Sequence, residues 1–209
     1  MTRTANWPEL AKTLETPPQP RHTEGIWNGR YFAPYALRTD RVFIEPLSPR
    51  ITQLDYDAYM SSIQHINDSM GWGFPTPDLT LEWANYDMHK CWNAFGRGEG
   101  FYYAVLSPDR SEELGAVYFK QPAAGTHPRE AEFTQWVVEQ ELETDLDRHL
   151  LQSVVNWVRS DWDIERLVHP LPEGYERGHR LAEELGLRRD SAADRPGFVS
   201  YVWESSPGG

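Results

Sequence analysis

The stretch 130–162 constrains the fold more than any other part of the chain. Residues 131–138 read Ala-Glu-Phe-Thr-Gln-Trp-Val-Val, a run of aromatic and β-branched residues at strand spacing. An acidic loop follows. Then Asp145 to Trp162 places Leu146, Leu150, Leu151, Val154, Val155 and Val158 on one face of a helix. A long strand feeding a long amphipathic helix has one economical solution: the helix lays its apolar face on the sheet to which the strand belongs.

The remaining segments say what kind of sheet that is. Arg41 to Pro46 alternates as a strand, with Val42 and Ile44 on one face. A helix is predicted over 55–66. The loop 67–78 holds Gly71, Gly73, Pro75 and Pro77 together with Trp72 and Phe74. A second helix starts near Thr80 and carries Leu81, Ala84, Met88, Cys91 or Trp92, and Phe95 at helical spacing, ending at Gly96 and Gly98. Strands 101–106 and 114–121 flank the turn Ser107-Pro108-Asp109-Arg110 and form a hairpin. A third long strand is predicted over 130–140. After the helix at 145–162 come a short strand at 166–171, a helix at 175–185 closed by Gly186, and a last strand at 198–203. This order predicts an α/β (α+β) domain built on a mixed, mostly antiparallel sheet flanked by helices.

Composition narrows the setting. With 209 residues and 39% apolar content, the chain can bury one sizeable core. No apolar run reaches the roughly 18 residues of a membrane span. Met1 to Leu10 lacks the layout of a signal peptide. The single cysteine, Cys91, allows no internal disulfide and falls on an apolar helix stripe as an inert thiol. A cytoplasmic setting is expected. A net charge of −12 opposes binding to nucleic acids and anionic membranes and favours an amine-bearing partner. Residues 1–38 read as an N-terminal extension, 39–204 as the domain and 205–209 as a flexible tail. Within the extension, Trp27, Tyr31, Phe32, Tyr35 and Leu37 form an aromatic arm. It either packs over the domain or serves as a homodimer contact or substrate lid.

The element order over 39–204 resembles the GNAT (N-acetyltransferase) superfamily. Ala131 to Val138, running through the acidic loop into Leu146, is similar to that family's fourth strand and cofactor helix. Leu181-Ala182-Glu183-Glu184-Leu185-Gly186-Leu187 is similar to its closing helix. The resemblance implies acyl transfer from coenzyme A, with acetyl-CoA as co-substrate, to a small amine. It implies pantetheine along the splayed strands and pyrophosphate at the start of the following helix, where backbone N–H groups and the helix dipole favour anions.

The loop departs from the family pattern of Gln or Arg, two residues, Gly, one residue, then Gly or Ala. Laid without a gap, that pattern falls on Glu143, Leu146 and Arg148. Glu139, Glu141, Glu143, Asp145 and Asp147 surround it, and each like charge at about 4 Å opposes a phosphate by about 1 kcal/mol even in water. Thr144 and Asp147 fit a capping box that would satisfy the helix end without a ligand. Ala182 stands where many family members have the tyrosine that protonates the leaving thiolate, which leaves Tyr175 as a relocated acid.

The candidate residues follow from this placement. Glu132 is the base, against an ordinary ion pair with a cross-strand arginine. Val137 and Val138 offer backbone groups to the cofactor. Arg148, His149 and Gln152 reach its phosphates from the first turns of the helix, against an Arg148 pairing with Asp145 or Glu143. Trp72 and Phe74 shape the acceptor pocket or plug the core. His169 lies near the cleft, and none of the histidines has the spacing of a helical metal pair. The first reading is an acyl-CoA-dependent N-acyltransferase. The second is a GNAT-fold protein that no longer uses coenzyme A and binds or transforms another small molecule in the same cleft.

Overall fold

A computed structural model of the chain describes residues 25–27, 31–122 and 127–205. The helical turn expected near Glu9 to Leu14 and most of the expected tail lie outside the described residues. The elements are β1 (Leu37–Arg38), β2 (Phe43–Pro46), α1 (Thr52–Ser61), α2 (Ile63–Met70), α3 (Leu81–Arg97), β3 (Phe101–Leu106), β4 (Glu113–Lys120) and β5 (Glu130–Val137). Then come α4 (Leu146–Asp161), β6 (Arg166–Pro172), α5 (Glu176–Glu184), β7 (Arg188–Arg189) and β8 (Phe198–Glu204).

The eight strands form one sheet in the order β1-β2-β3-β4-β5-β6-β8-β7. Every neighbouring pair is antiparallel except β5 and β6. That parallel pair is joined only over Glu130↔Arg166, Ala131↔Leu167 and Glu132↔Val168. Beyond Glu132 the two strands part and leave a gap in the sheet.

Each face of the sheet carries its own core. On one, Leu146, Leu150, Leu151, Val154 and Val158 of α4 and Leu181 of α5 pack on Phe101, Tyr103, Phe119 and Phe133. On the other, Tyr59, Ile66, Met70 and Met88 of α1, α2 and α3 pack on Ala104, Ala116, Tyr118 and Trp136. The period-two alternation of β5 divides it between these cores, Phe133 to one and Trp136 to the other.

Three local outcomes differ from the sequence expectation. The helix expected over 55–66 is two helices, because the backbone breaks at Ser62 (φ −140°, ψ 25°). Ser62 Oγ then accepts the Glu139 N–H at 2.9 Å, tying the break to the far end of β5. The strand expected over 130–140 ends at Val137. Val138 gives its N–H to Leu114 O, and its own carbonyl takes the Glu141 N–H, which starts a 3₁₀ turn over Glu139–Thr144. The edge strands β1 and β7 are two residues long, too short to carry a periodic signal.

The described part of the aromatic arm lies on the α4 side of the sheet. Trp27 stacks on Phe101 at 5.3 Å and donates its indole N–H to Glu130 O at 2.7 Å. Tyr31 OH accepts the Asp163 N–H at 3.1 Å. Ile26 and Tyr31 are buried, whereas Phe32 is 71% exposed.

Two further features matter below. Asp55 of α1 and Glu113 of β4 are buried carboxyls that hydrogen-bond to each other and to no other described side chain. Burial pushes Asp55 up to about 8, and burial with the Asp55 charge raises Glu113 well above the ordinary range. Gly115 lies where β4 crosses β5 so closely that a Cβ there would sit 2.1 Å from Trp136 O.

Candidate functional site

The gap between β5 and β6 is the first part of the site. Phe133 O faces it and meets the Nδ1 of His169 at 3.0 Å. Backbone groups alternate along a strand, so those of Gln135 and Val137 face the same gap. Val138 does not contribute, because both of its backbone groups are already bonded. The remaining cavity, about 20 Å³, is lined by Gln135, Val137, Asp147, His169, Tyr175 and Leu181 and has room for about one water. Gln135 Oε1 is buried there with no hydrogen-bond partner among the described residues. Tyr175, just before α5, is pushed up to about 12, first by burial and then by the Asp147 charge. His169 is fully enclosed and pushed down to about 4 by burial, so its ring is neutral and structural.

The mouth of α4 is the second part. Asp145 takes the left-handed conformation (φ 56°) and makes no side-chain cap. This is the one residue of the loop whose backbone calls for glycine, and it is not Leu146, where the ungapped reading put that position. The capping box is also corrected: Thr144 Oγ1 bonds Glu141 and Arg41 instead of the helix end. Asp147 does the work of an anion at the helix start. Its Oδ1 accepts the Arg148 N–H at 2.9 Å, and Arg177 of α5 grips both oxygens at 2.5 and 2.8 Å. Arg177 also reaches Asp145 at 2.9 Å and Leu142 O at 3.1 Å. The bond to Asp147 holds the guanidinium pKa well up.

The third part is a cluster of side chains on the α2–α3 face. Glu132 is the last residue of β5 paired with β6 and stands directly across the ladder from Lys120 of β4. Both Glu132 oxygens are held by Arg195 Nη1, at 3.1 and 3.2 Å. Arg195 lies 4.4 Å over the Phe198 ring. Phe198 packs against Gly71, where an added Cβ would come within 2.8 Å of it. The neighbouring Trp72 covers Lys120, with Nζ 4.5 Å from its ring centre. Phe74 turns inward instead, 5.4 Å from Tyr59 and 5.1 Å from Trp83.

The predicted site residues therefore separate. Glu132 and Trp72 both lie beside Lys120 on one sheet face, Val137 and Tyr175 share the gap, and Phe74 plugs the core. Arg148 leaves the mouth to pair with Glu184 of α5, not with Asp145 or Glu143. His149 Nε2 meets Thr39 Oγ1 at 2.9 Å, on the side of α4 toward β1 and β2. Gln152 is exposed on the outer face of α4. Arg177, Lys120 and Arg195 were missed. Arg195 is 63 residues from its partner, and no local pattern announces such a pair.

The comparisons with known proteins agree on the fold. The ribosomal-protein-S5-alanine acetyltransferase of Vibrio fischeri superposes with a TM-score of 0.66 at 9% identity, covering 83% of this chain and 98% of its own. RimL, the ribosomal L7/L12 α-N-protein acetyltransferase, seen in complex with coenzyme A, gives 0.66 at 13%, covering 81% and 97%. The microcin C7 self-immunity acetyltransferase MccE, in complex with acetyl-CoA and AMP, gives 0.65 at 11%, covering 80% and 94%. No sequence-family profile and no curated protein sequence matches the chain. The fold is that of the GNAT acetyltransferases.

Coenzyme A can be tested against these residues. The orphaned Gln135 Oε1 and the gap-facing edge of β5 suit the amides of a pantetheine arm. The Arg148 N–H and the Arg177 guanidinium are the donors a phosphate needs. A carboxylate of the chain already holds them, so the donor set fits a phosphate that displaces or outcompetes Asp147.

Proposed function

We propose that this protein is a GNAT-type N-acyltransferase that moves an acyl group, acetyl in the simplest case, from coenzyme A to a small amine. The observation that carries this reading is Glu132, a carboxylate at the point where β5 and β6 part, on the sheet face that carries Lys120 and Trp72. An acyl-CoA, when bound, supplies an activated thioester carbonyl. The amine approaches the sheet face beside Trp72, and Glu132 receives the proton it gives up, directly or through water. Backbone donors of β5 at the gap polarise the carbonyl that the amine attacks. Tyr175, held protonated by its burial, faces the same gap as the proton donor to the departing thiolate.

A second reading is favoured by one observation, the burial of Asp147 in the phosphate position. In that reading the chain has given up coenzyme A and binds or transforms another small molecule in the same cleft. One experiment separates the two. Calorimetry with coenzyme A is run on the wild type and Asp147→Ala, with thiol release from acetyl-CoA measured across a panel of amines. Asp147→Ala frees Arg177 and the helix start, so it is expected to tighten coenzyme A binding about tenfold. Glu132→Gln is expected to lower kcat about a hundredfold. If coenzyme A at millimolar concentration binds neither protein, the acyltransferase reading falls and the second stands.

A further inference from the structure

The gap between β5 and β6 has an open end and a closed one. The donors a phosphate needs, the Arg148 N–H and the Arg177 guanidinium, stand at the mouth of α4, past the Val137 end of β5. The closed end is the last rung of the parallel ladder, Glu132↔Val168. A molecule held by its phosphate at the mouth therefore lays its reactive end toward Glu132. Before the ladder closes, it meets His169. In an unbroken ladder Phe133 and His169 would form the next rung. Instead the His169 imidazole reaches across to β5, with Nδ1 3.0 Å from Phe133 O and the ring 4.6 Å from that of Phe133. The residue is 3% exposed. It lines the cavity of about 20 Å³ in the gap, which has room for one water-sized group. The ring cannot swing aside without leaving a buried backbone carbonyl unpaired.

We propose that His169 is the end wall of the donor slot and selects the shortest acyl groups, acetyl before butanoyl. The proposal rests on the acyltransferase reading and adds to it the class of donor. A methyl group ends in front of the imidazole. Each further methylene must displace the ring, which breaks its bond to Phe133 O and its contact with the Phe133 ring. Past the ring the chain finds no further slot, because β5 and β6 are paired there. The wall acts by its volume, and neither ring nitrogen has to touch the donor. A buried histidine that merely ties two strands would make the same bond, but it would not sort donors by length.

The test reads binding and needs no acceptor amine. Calorimetry compares acetyl-CoA with butanoyl-CoA, longer by two methylenes, on the wild type and on variants of His169. The wild type is expected to bind butanoyl-CoA about tenfold more weakly, the lower end of what one methylene without a place costs. His169→Ala opens the volume of the ring and brings the two affinities together. His169→Leu refills that volume without an N–H and keeps the preference for acetyl. His169→Asn, smaller than the ring and still able to donate to Phe133 O, takes the place of the alanine variant if that one does not fold. Each ratio is taken within one protein, so a variant that only loosens the gap weakens both ligands alike and leaves the ratio where it was. Two results overturn the proposal: equal binding of the two thioesters by the wild type, or a preference that survives removal of the ring. Either leaves the acyltransferase standing with another determinant of its donor. No binding of coenzyme A or of either thioester at millimolar concentration overturns the acyltransferase reading itself, and this proposal with it.

Discussion

A pair of buried carboxyls has a defined thermodynamic sign. Asp55 titrates near 3.8 when unfolded and is pushed up to about 8 in the fold. Between those values the folded chain holds a proton that the unfolded chain has lost. Stability therefore falls as pH rises through this window and is greatest at its acid end. His169 acts oppositely, but only below its ordinary value of 6.5. Denaturant melts between pH 6.5 and pH 8 isolate the carboxyls. The wild type is expected to lose about 2 kcal/mol across that interval, and Asp55→Asn/Glu113→Gln to flatten the slope. A wild-type slope of the opposite sign would refute the assignment. The same residue scale shows where sequence reasoning stops. Asp147 was legible as an acid near a helix start, but its role required Arg177, which lies 30 residues away.

At the scale of elements, the strands and helices with strong periodicity were legible, and those fixed by a few backbone bonds were not. The strand at 101–106 and the helix at 145–162 came through because burial repeats along their length. The break at Ser62 and the end of β5 at Val137 depend on bonds to Glu139 and Leu114 that no local pattern carries. The close crossing of β4 and β5 at Gly115 is of the same kind. Gly115→Ala drives a methyl into the Trp136 carbonyl, a backbone atom that cannot rotate away. It is expected to cost about 2–3 kcal/mol and to shift the amide resonances of 114–116 and 136–138. A variant as stable as the wild type would show that the two strands separate more readily than their spacing implies.

For the whole molecule, the sheet divides labour between its faces. The α4–α5 side holds one core and the arm, while the α1–α3 side holds the other core and the cluster of Glu132, Arg195, Lys120 and Trp72. The arm sets a further condition. Trp27 and Tyr31 reach residues 103 and 132 positions away along the chain. Such contacts form only after β5, β3 and the end of α4 have already assembled, so the arm is a clasp that closes late in folding. A clasp of this kind leaves the folding rate to the rest of the chain and acts on escape. Trp27→Ala is expected to speed unfolding in stopped-flow experiments while leaving refolding almost unchanged. How long the folded molecule persists, and not how fast it appears, is what Trp27 and Tyr31 govern.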